Sequence, residues 1–261
     1  MSEPNIVIER SGAVATLWLN RPDVHNAFDE HLIAGITDAL RVVEADAGVR
    51  VVILAGRGKS FCAGGDLDWM RRMAAFSEAQ NLEDAGRLAE VLRTLATLSK
   101  PTIARVHGAA LAGGTGLVAA CDIAVASSQA SFGTTEVRLG LVPATISPYV
   151  IRAIGARAAQ RYFLTGERIG ADQALALGLV HELCTPEALD ARIAELVAAL
   201  LAGSPMALTA SKRLIEAVDQ HPLDAALIAD TCARIASARA SADAREGIAA
   251  FFDKRKPHWT N

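Results

Sequence analysis

The sequence predicts an α/β fold followed by a C-terminal helical region. Over the first ~185 residues, short apolar runs typical of buried strands alternate with amphipathic helical stripes, as in stacked β/α units. From about residue 186 onward, only helical patterns are present. We therefore predict a core at residues 1–195 and a helical region at residues 196–261, which packs on the core or serves in oligomerisation.

The first elements follow from local patterns. Two strands, Ile6–Glu9 and Val14–Leu19, are predicted on either side of a turn at Ser11-Gly12. Asp29 is a candidate cap for the next helix, because a carboxylate accepts hydrogen bonds from the free amides of a first turn. The largely apolar run Val49–Leu54 predicts a buried parallel strand. Apolar residues at helical spacing after Asp29 are Leu32, Ile33, Ile36, Leu40 and Val43.

Later elements are predicted in the same way. A helical stripe ends at Leu98, and Thr102–Val106 and Cys121–Ala126 have the composition of short buried strands. Between these strands, a helix is predicted to begin near Gly113. In the C-terminal region, Ser204-Pro205 and Ser241 are plausible helix starts, and His221-Pro222 separates two helices.

Composition excludes several classes of protein. The chain has 261 residues, a net charge of −3, 51% hydrophobic and 21% charged residues, which favours a packed core over disorder. The absence of a dense basic run, apart from residues 254–256, argues against a nucleic-acid partner. No apolar run reaches the ~18 residues of a membrane span. Met1–Pro4 lacks the features of a signal peptide.

The four cysteines are Cys62, Cys121, Cys184 and Cys232. They are far apart and form no C-x-x-C pair, so we expect neither a disulfide framework nor a zinc or other metal site. This use of cysteine fits a reduced, cytoplasmic compartment.

Two glycine-rich segments, 60–67 and 107–116, follow two predicted strands. Glycine lets a ligand approach backbone amides, and a helix that begins near Gly113 would direct free amides at an anion. Neither segment fits a nucleotide-binding pattern of the Walker A or Rossmann type. Tight turns and helix–sheet packing would explain these glycines equally well.

Longer motifs carry a resemblance to a known family. Together they run over nearly the whole chain, in order, and they resemble the crotonase superfamily of enoyl-CoA hydratases and isomerases. The motifs are Asn20-Arg21-Pro22 with Asn26-Ala27, Phe61-Cys62-Ala63-Gly64-Gly65-Asp66, the segment 102–114, Cys121–Ala126, Phe132-Gly133-x-x-Glu136 continuing to Pro143, and Phe251-Phe252-x-Lys254-Arg255-x-Pro257.

The resemblance implies a crotonase-like spiral of ββα units in which residues 1–195 bind acyl-CoA thioesters. It also implies a homo-oligomer, a trimer or a hexamer of two trimers, assembled through residues 196–261. No cofactor is implied, because hydration and isomerisation need neither electrons nor a Lewis acid once the carbonyl oxygen is stabilised. CoA enters as part of the substrate.

Both reactions place negative charge on the thioester carbonyl oxygen. Two backbone amides aimed at that oxygen are worth about 3 kcal/mol each, and by the family pattern they belong to Gly65 and Gly113. The family also holds CoA along this first loop. The implied substrate-binding residues are Ala63, Gly65, Asp66, Leu67, Asp68 and Gly113.

The proton carrier implied by the family is Glu136. Hydratases of the family typically use two glutamates, and here Gly116 occupies the position of the first. One glutamate can still shuttle a proton, as in the isomerases of the family. We expect Asp66 to cap backbone amides, and we interpret His25 and His107 as loop residues.

The segment 144–155 and Gly116 resemble bacterial methylglutaconyl-CoA hydratases, which act in leucine or isoprenoid breakdown. The distal carboxylate of such a substrate calls for a cation, for which Arg138 and Arg152 are candidates. Ser147 and Tyr149 either supply hydroxyls to the pocket or begin a helix.

The favoured hypothesis is an enoyl-CoA hydratase, a lyase that adds water to a short or branched enoyl-CoA. A double-bond isomerase is the alternative, since it needs only one base. A non-catalytic relative that binds acyl-CoA is a third hypothesis, motivated by the glycine at position 116.

Overall fold

The computed structural model describes residues 4–219 and 221–260. The expectation that Met1–Pro4 is not part of a signal peptide falls on residues 1–3, which lie outside the described residues, and on Pro4. The strands are β1 (Ile6–Ser11), β2 (Val14–Leu19), β3 (Val51–Gly56), β4 (Thr102–Val106), β5 (Ala109–Leu111), β6 (Ile123–Ser127), β7 (Ser131–Gly133), β8 (Ile169–Gly170) and β9 (Glu182–Cys184). The helices are α1 (Glu30–Ala45), α2 (Leu67–Met73), α3 (Glu78–Thr97), α4 (Gly113–Ala120), α5 (Ser147–Thr165), α6 (Ala171–Leu177), α7 (Leu189–Ala202), α8 (Pro205–Val218), α9 (Ala225–Arg239) and α10 (Ala242–Phe252).

Most elements agree with the sequence predictions. Asp29 caps α1 by accepting a hydrogen bond from the Leu32 amide, and Ser204 and Ser241 cap α8 and α10. Two strands begin later than predicted. β3 starts at Val51 and not at Val49, and β6 starts at Ile123 and not at Cys121.

The α/β class is confirmed by a six-stranded sheet in the order β1-β2-β3-β4-β6-β9. β1 pairs antiparallel with β2, and the remaining pairs are parallel. A second, three-stranded sheet has the order β5-β7-β8. It begins where the chain leaves β4, so it lies at the carboxyl end of the central strands, where α/β proteins commonly place their ligands.

Apolar side chains cover the central strands on both faces, as expected for parallel strands. On one face, Val52 and Leu54 of β3 belong to the main core formed with α1, α3, α4 and α5. On the other face, Val51 and Ile53 pack against Leu189 of α7. Helix α7 spans residue 195, so the predicted division at 195/196 falls inside a helix that packs on the sheet.

Helix α8 is held to the sheet by a partly buried ionic contact. Lys212 Nζ lies 2.7 Å from Asp122 Oδ2 and 3.0 Å from the carbonyl oxygen of Lys100. The same Asp122 oxygen accepts hydrogen bonds from the Thr102 amide and hydroxyl, at 2.7 and 2.9 Å. Asp122 therefore has a structural role, joining β4 to α8.

Asp122→Ala is expected to lower the free energy of unfolding by about 2 kcal/mol, because it strands the Lys212 charge and two donors of Thr102. Urea denaturation measures this loss. Asp38→Ala is the control, since its partner Arg41 is an exposed neighbour on α1, and a change below ~0.5 kcal/mol is expected there. Equal losses of unfolding free energy in the two variants would contradict the structural role assigned to Asp122.

The C-terminal helices leave large apolar side chains uncovered. Those at least half exposed are Ile215, Ile228, Ile235, Ile248, Phe251 and Phe252, together with Leu223 in the loop between α8 and α9. Among the described residues, no single helix is long and apolar enough to cross a membrane, although the bent pair Pro186–Ala202 and Pro205–Val218 meets those two requirements jointly.

Candidate functional site

The two glycine-rich segments lie side by side in the structure. The Cys62 amide donates to the carbonyl of Ala109 at 3.0 Å, and the Leu111 amide donates to the carbonyl of Cys62 at 2.8 Å. The contact is so close that a Cβ on Gly114 would lie 2.4 Å from the Cys62 oxygen. Glycine at position 114 is therefore required by packing between the loop after β3 and the start of α4.

This arrangement brings together the two glycines proposed as amide donors. Within residues 4–219 and 221–260, neither the Gly65 amide nor the Gly113 amide has a hydrogen-bond partner. Gly113 is the first residue of α4, so its N–H lies at the positive end of the helix dipole. Two free donors beside a helix N-terminus favour an anionic oxygen.

The residue before Gly113 has a strained backbone. Ala112 has φ +47° and ψ −116°, a conformation that L-residues rarely adopt. Its amide donates to the carbonyl of Gly133 at 2.7 Å, which ties the turn to β7. The turn directs the chain sharply from β5 into α4 and thereby sets the direction of the Gly113 amide.

Phe28 connects the two candidate donors. Its amide donates to the Gly64 carbonyl at 2.7 Å, and its carbonyl accepts from the Asp66 amide at 2.8 Å, so its backbone flanks Gly65. Its ring lies against Gly113, where an added Cβ would be 2.6 Å from Phe28 Cε2. Phe28 is 2% exposed. One side chain therefore sets the spacing between the two amides.

Arg21 fixes the start of α2. Its guanidinium lies 3.0 Å from Asp29 and 3.1 Å from Asp66. Asp66 Oδ1 in turn accepts hydrogen bonds from the Asp68 and Trp69 amides, as predicted for a capping residue. Burial opposes ionisation of Asp66, but these amides and Arg21 outweigh it and hold its pKa below the usual range.

Asn26 fastens the same region from the other side. It is fully buried and its side-chain amide donates to the carbonyls of Arg57 and Ser60, each at 2.8 Å. Its Oδ1 accepts from the Arg21 amide. The sequence marks the motif Asn20-Arg21-Pro22 with Asn26-Ala27 only as a family hallmark, and the structure shows that Arg21 and Asn26 position the loops of the site.

Glu136 follows β7, three residues after Gly133, and begins a 3₁₀ turn at Glu136–Leu139. Because Gly133 bonds to Ala112 and Thr115, the chain delivers Glu136 to the side of α4. Its Oε2 is buried and has no partner in the described part of the chain. Burial raises the pKa of Glu136, opposed only in part by its own backbone amide.

The remaining predicted residues differ in their placement. The Ala63 amide donates to the His25 carbonyl at 3.0 Å, whereas Leu67 is 71% exposed on α2. Asp68, also exposed, pairs with Arg71. The first loop is therefore fixed by a backbone hydrogen bond at Ala63, whereas its later residues Leu67 and Asp68 are exposed to solvent.

Two predicted loop histidines make local contacts. His25 Nδ1 lies 3.1 Å from Ser60 Oγ, and His107 Nε2 lies 2.9 Å from the Gly58 carbonyl oxygen. Burial lowers the pKa of His107, so its ring stays neutral near pH 7. Cys62 is also no nucleophile, because burial raises its pKa to about 12.

The two candidate cations for a distal carboxylate have contacts of their own. Arg138 is exposed and packs beside Gly166. Arg152 pairs with Asp219 at 3.1 Å and, with Tyr149, lines a cavity of about 340 Å³ between α3, α5 and α8. Neither Glu136 nor the two glycines lines that cavity.

No group of three or more metal-ligating side chains is found in residues 4–219 and 221–260. The polar groups at the site are two backbone amides, which donate hydrogen bonds, and one carboxylate, which accepts them. Such a set suits an oxyanion and a mobile proton.

Comparison with known proteins places this geometry in context. The sequence profile described as Enoyl-CoA hydratase/isomerase matches residues 9–261. A solved enoyl-CoA hydratase from Shewanella pealeana is 42% identical, with a TM-score of 0.95 over 98% of this chain and 96% of that one. The crotonyl-CoA hydratase of Syntrophomonas wolfei is 33% identical over 99% of both chains. The 2,3-dehydroadipyl-CoA hydratase of Escherichia coli is 33% identical over 98% of both.

Proposed function

The chain belongs to the enoyl-CoA hydratase/isomerase family, and from that premise we propose that it adds water to a short or branched enoyl-CoA through Gly65, Gly113 and Glu136. One observation carries the proposal. Two amides without partners in the described chain stand beside the segment that delivers a half-buried carboxylate. The resemblance to crotonyl-CoA and 2,3-dehydroadipyl-CoA hydratases supports hydration of an α,β-unsaturated thioester.

The two amides act on the thioester oxygen. When water adds to the β-carbon, electrons move through the double bond and leave negative charge on that oxygen. The Gly65 and Gly113 amides would stabilise this enolate-like state, and the dipole of α4 adds to the second. Losing one such donor typically costs about 3 kcal/mol of transition-state stabilisation.

Glu136 would carry the proton. Its ionised carboxylate accepts a proton from water as the water oxygen bonds to the β-carbon, and it then delivers a proton to the α-carbon. The hydroxyl and the hydrogen of water are thus both added, and the carboxylate returns to its starting form. A single carboxylate suffices for this cycle.

Isomerisation of the double bond is the second candidate function, because Gly116 leaves the site with Glu136 alone as acid and base. A panel of enoyl-CoA thioesters with product identification by mass distinguishes the reactions. A hydratase yields hydroxyacyl-CoA that is 18 mass units heavier than its substrate, whereas an isomerase yields a product of unchanged mass. Binding without turnover across the panel would favour a non-catalytic acyl-CoA-binding relative.

Methylglutaconyl-CoA is the more specific substrate proposal and belongs in the same panel. It is supported by the sequence of segment 144–155. The positions of Arg138 and Arg152 add no support, since one packs beside Gly166 and the other pairs with Asp219. A higher kcat/KM for crotonyl-CoA than for glutaconyl forms would reject this finer proposal while leaving hydration intact.

We also propose that turnover needs no metal or redox cofactor, so it should survive EDTA.

The exposed apolar side chains of α9 and α10, including Ile228, Ile235 and Phe251, support a homo-oligomer. Light scattering that reports a monomer at micromolar concentration would reject it.

The pH dependence of turnover is expected to follow Glu136. Because the carboxylate acts as a base and its pKa is raised from 4.5 by burial, kcat/KM should be level at high pH. It should fall tenfold per unit below that raised pKa, which lies above 4.5. Values of kcat/KM measured between pH 4.5 and 8 define this acidic fall and its midpoint. A midpoint at or below 4.5 would contradict the assignment.

A further inference from the structure

The space beside Gly116 is filled by a single apolar side chain, that of Ile146. A Cβ built on Gly116 would lie 2.3 Å from Ile146 Cγ2 and 2.9 Å from Ile146 Cβ. Real Cβ atoms essentially never approach another heavy atom closer than 3.0 Å. No side chain, not even the methyl group of alanine, therefore fits at position 116 while Ile146 keeps its place.

Ile146 is not free to move aside. It is 1% exposed and belongs to the main core. Its carbonyl accepts hydrogen bonds from the Tyr149 and Val150 amides, each at 3.1 Å, at the start of α5. Behind Gly116, Leu92 of α3 closes the other side, with its Cδ2 3.5 Å from the added Cβ. A Cβ at position 116 would therefore be in ordinary contact with Leu92 but would overlap Ile146.

We propose that Ile146 is a specificity-determining residue that confines the site to a single carboxylate. Gly116 lies three residues after Gly113 on α4, and residues at this spacing share one helix face. A carboxylate at position 116 would therefore project on the side of the helix that carries the proposed amide donor. Ile146 excludes it by occupying that volume. This inference rests on the proposed function and adds the residue that makes Glu136 act alone.

The packing claim is tested by thermal unfolding of Gly116→Ala in three backgrounds. In wild type, Tm should fall by at least ~4 °C, because the methyl group overlaps Ile146. Ile146→Val retains the Cγ2 atom, so the same fall is expected there. Ile146→Gly removes both contacts, and Gly116→Ala should then raise Tm, since alanine favours a helix over glycine. An unchanged or higher Tm for Gly116→Ala in the wild-type background overturns the proposal.

The catalytic claim is tested in the Ile146→Gly background, where room exists. Gly116→Glu and Gly116→Gln fill that room equally, but only the first adds a carboxylate. The Glu variant should hydrate crotonyl-CoA at least ~10-fold faster in kcat/KM than the Gln variant, which is less than the ~100-fold of a lone acid–base group because both variants keep Glu136. Equal rates in two folded variants overturn the claim. Wild-type hydration, measured alongside, tests the proposed function, whereas the Tm series requires no activity and remains decisive if that function fails.

Discussion

Glu136→Gln is expected to lower kcat for enoyl-CoA hydration at least ~100-fold, with little change in the affinity for the thioester. Glutamine keeps the shape of the side chain but cannot accept and return a proton at neutral pH. The site has no second acid–base group at position 116, where Gly116 is packed against Ile146. Steady-state rates give kcat, and titration with a saturated acyl-CoA gives the affinity. Turnover within threefold of wild type would remove Glu136 from the mechanism.

The variant must also remain folded for this result to count. Burial raises the pKa of Glu136, so the native state binds more protons than the unfolded state between pH 4.5 and the raised pKa. Stability from this group is full below pH 4.5 and declines as pH rises through that window. Glutamine does not titrate, so the variant should be at least as stable as wild type at pH 7. Glu90→Gln, at an exposed ion pair with Arg93, is the matched control with unchanged kcat.

Phe28→Ala is expected to have the second largest effect, on both stability and rate. Deleting a buried phenylalanine ring costs about 3–5 kcal/mol of unfolding free energy. The ring also holds Gly113 at a set distance from the loop that carries Gly65. We therefore expect kcat to fall 10²–10³-fold, on the order of losing one oxyanion donor, while KM changes little.

Leu40→Ala separates packing from positioning. Leu40 is fully buried in α1, so Leu40→Ala should lose a comparable ~2–5 kcal/mol of unfolding free energy. Its side chain is not among the nearest neighbours of Gly65 or Gly113. Urea unfolding and kcat measured on the same preparations give both quantities. If the two variants lose kcat in equal proportion, Phe28 acts only through global stability.

Features set by near neighbours in sequence were predictable. Asp29, Ser204 and Ser241 cap their helices because the groups they bind lie three residues away. The apolar pattern predicts a start of β3 at Val49, two residues early, because the Val49 amide bonds to the Asp46 carbonyl in a turn. Pairing with β2 begins only at Val51, and no local pattern specifies that register.

The candidate site depended on resemblance and could not be assembled from spacing. Gly65, Gly113 and Glu136 were identified by motif, and their juxtaposition arises from long-range contacts between Cys62, Leu111 and Gly133. Phe28 carries no signal in the sequence, and Ile146 appears there only as part of segment 144–155, because each is an ordinary apolar residue whose contact with one distant glycine is not encoded locally. These contacts join residues that are 30 or more positions apart in the chain, and a single sequence does not reveal which distant residues touch.

In the proposed mechanism, the backbone of Ala112 bears on when the energy of catalysis is supplied. A left-handed L-residue costs about 1–3 kcal/mol, and at φ +47° that cost is incurred as the chain folds. Water around a growing negative charge must turn its dipoles during the reaction, and this reorganisation is part of the uncatalysed barrier. The Gly113 amide needs no such turning, because the preceding residue has already oriented it. Preorganisation at this site is thus a transfer of free energy from folding stability to the transition state.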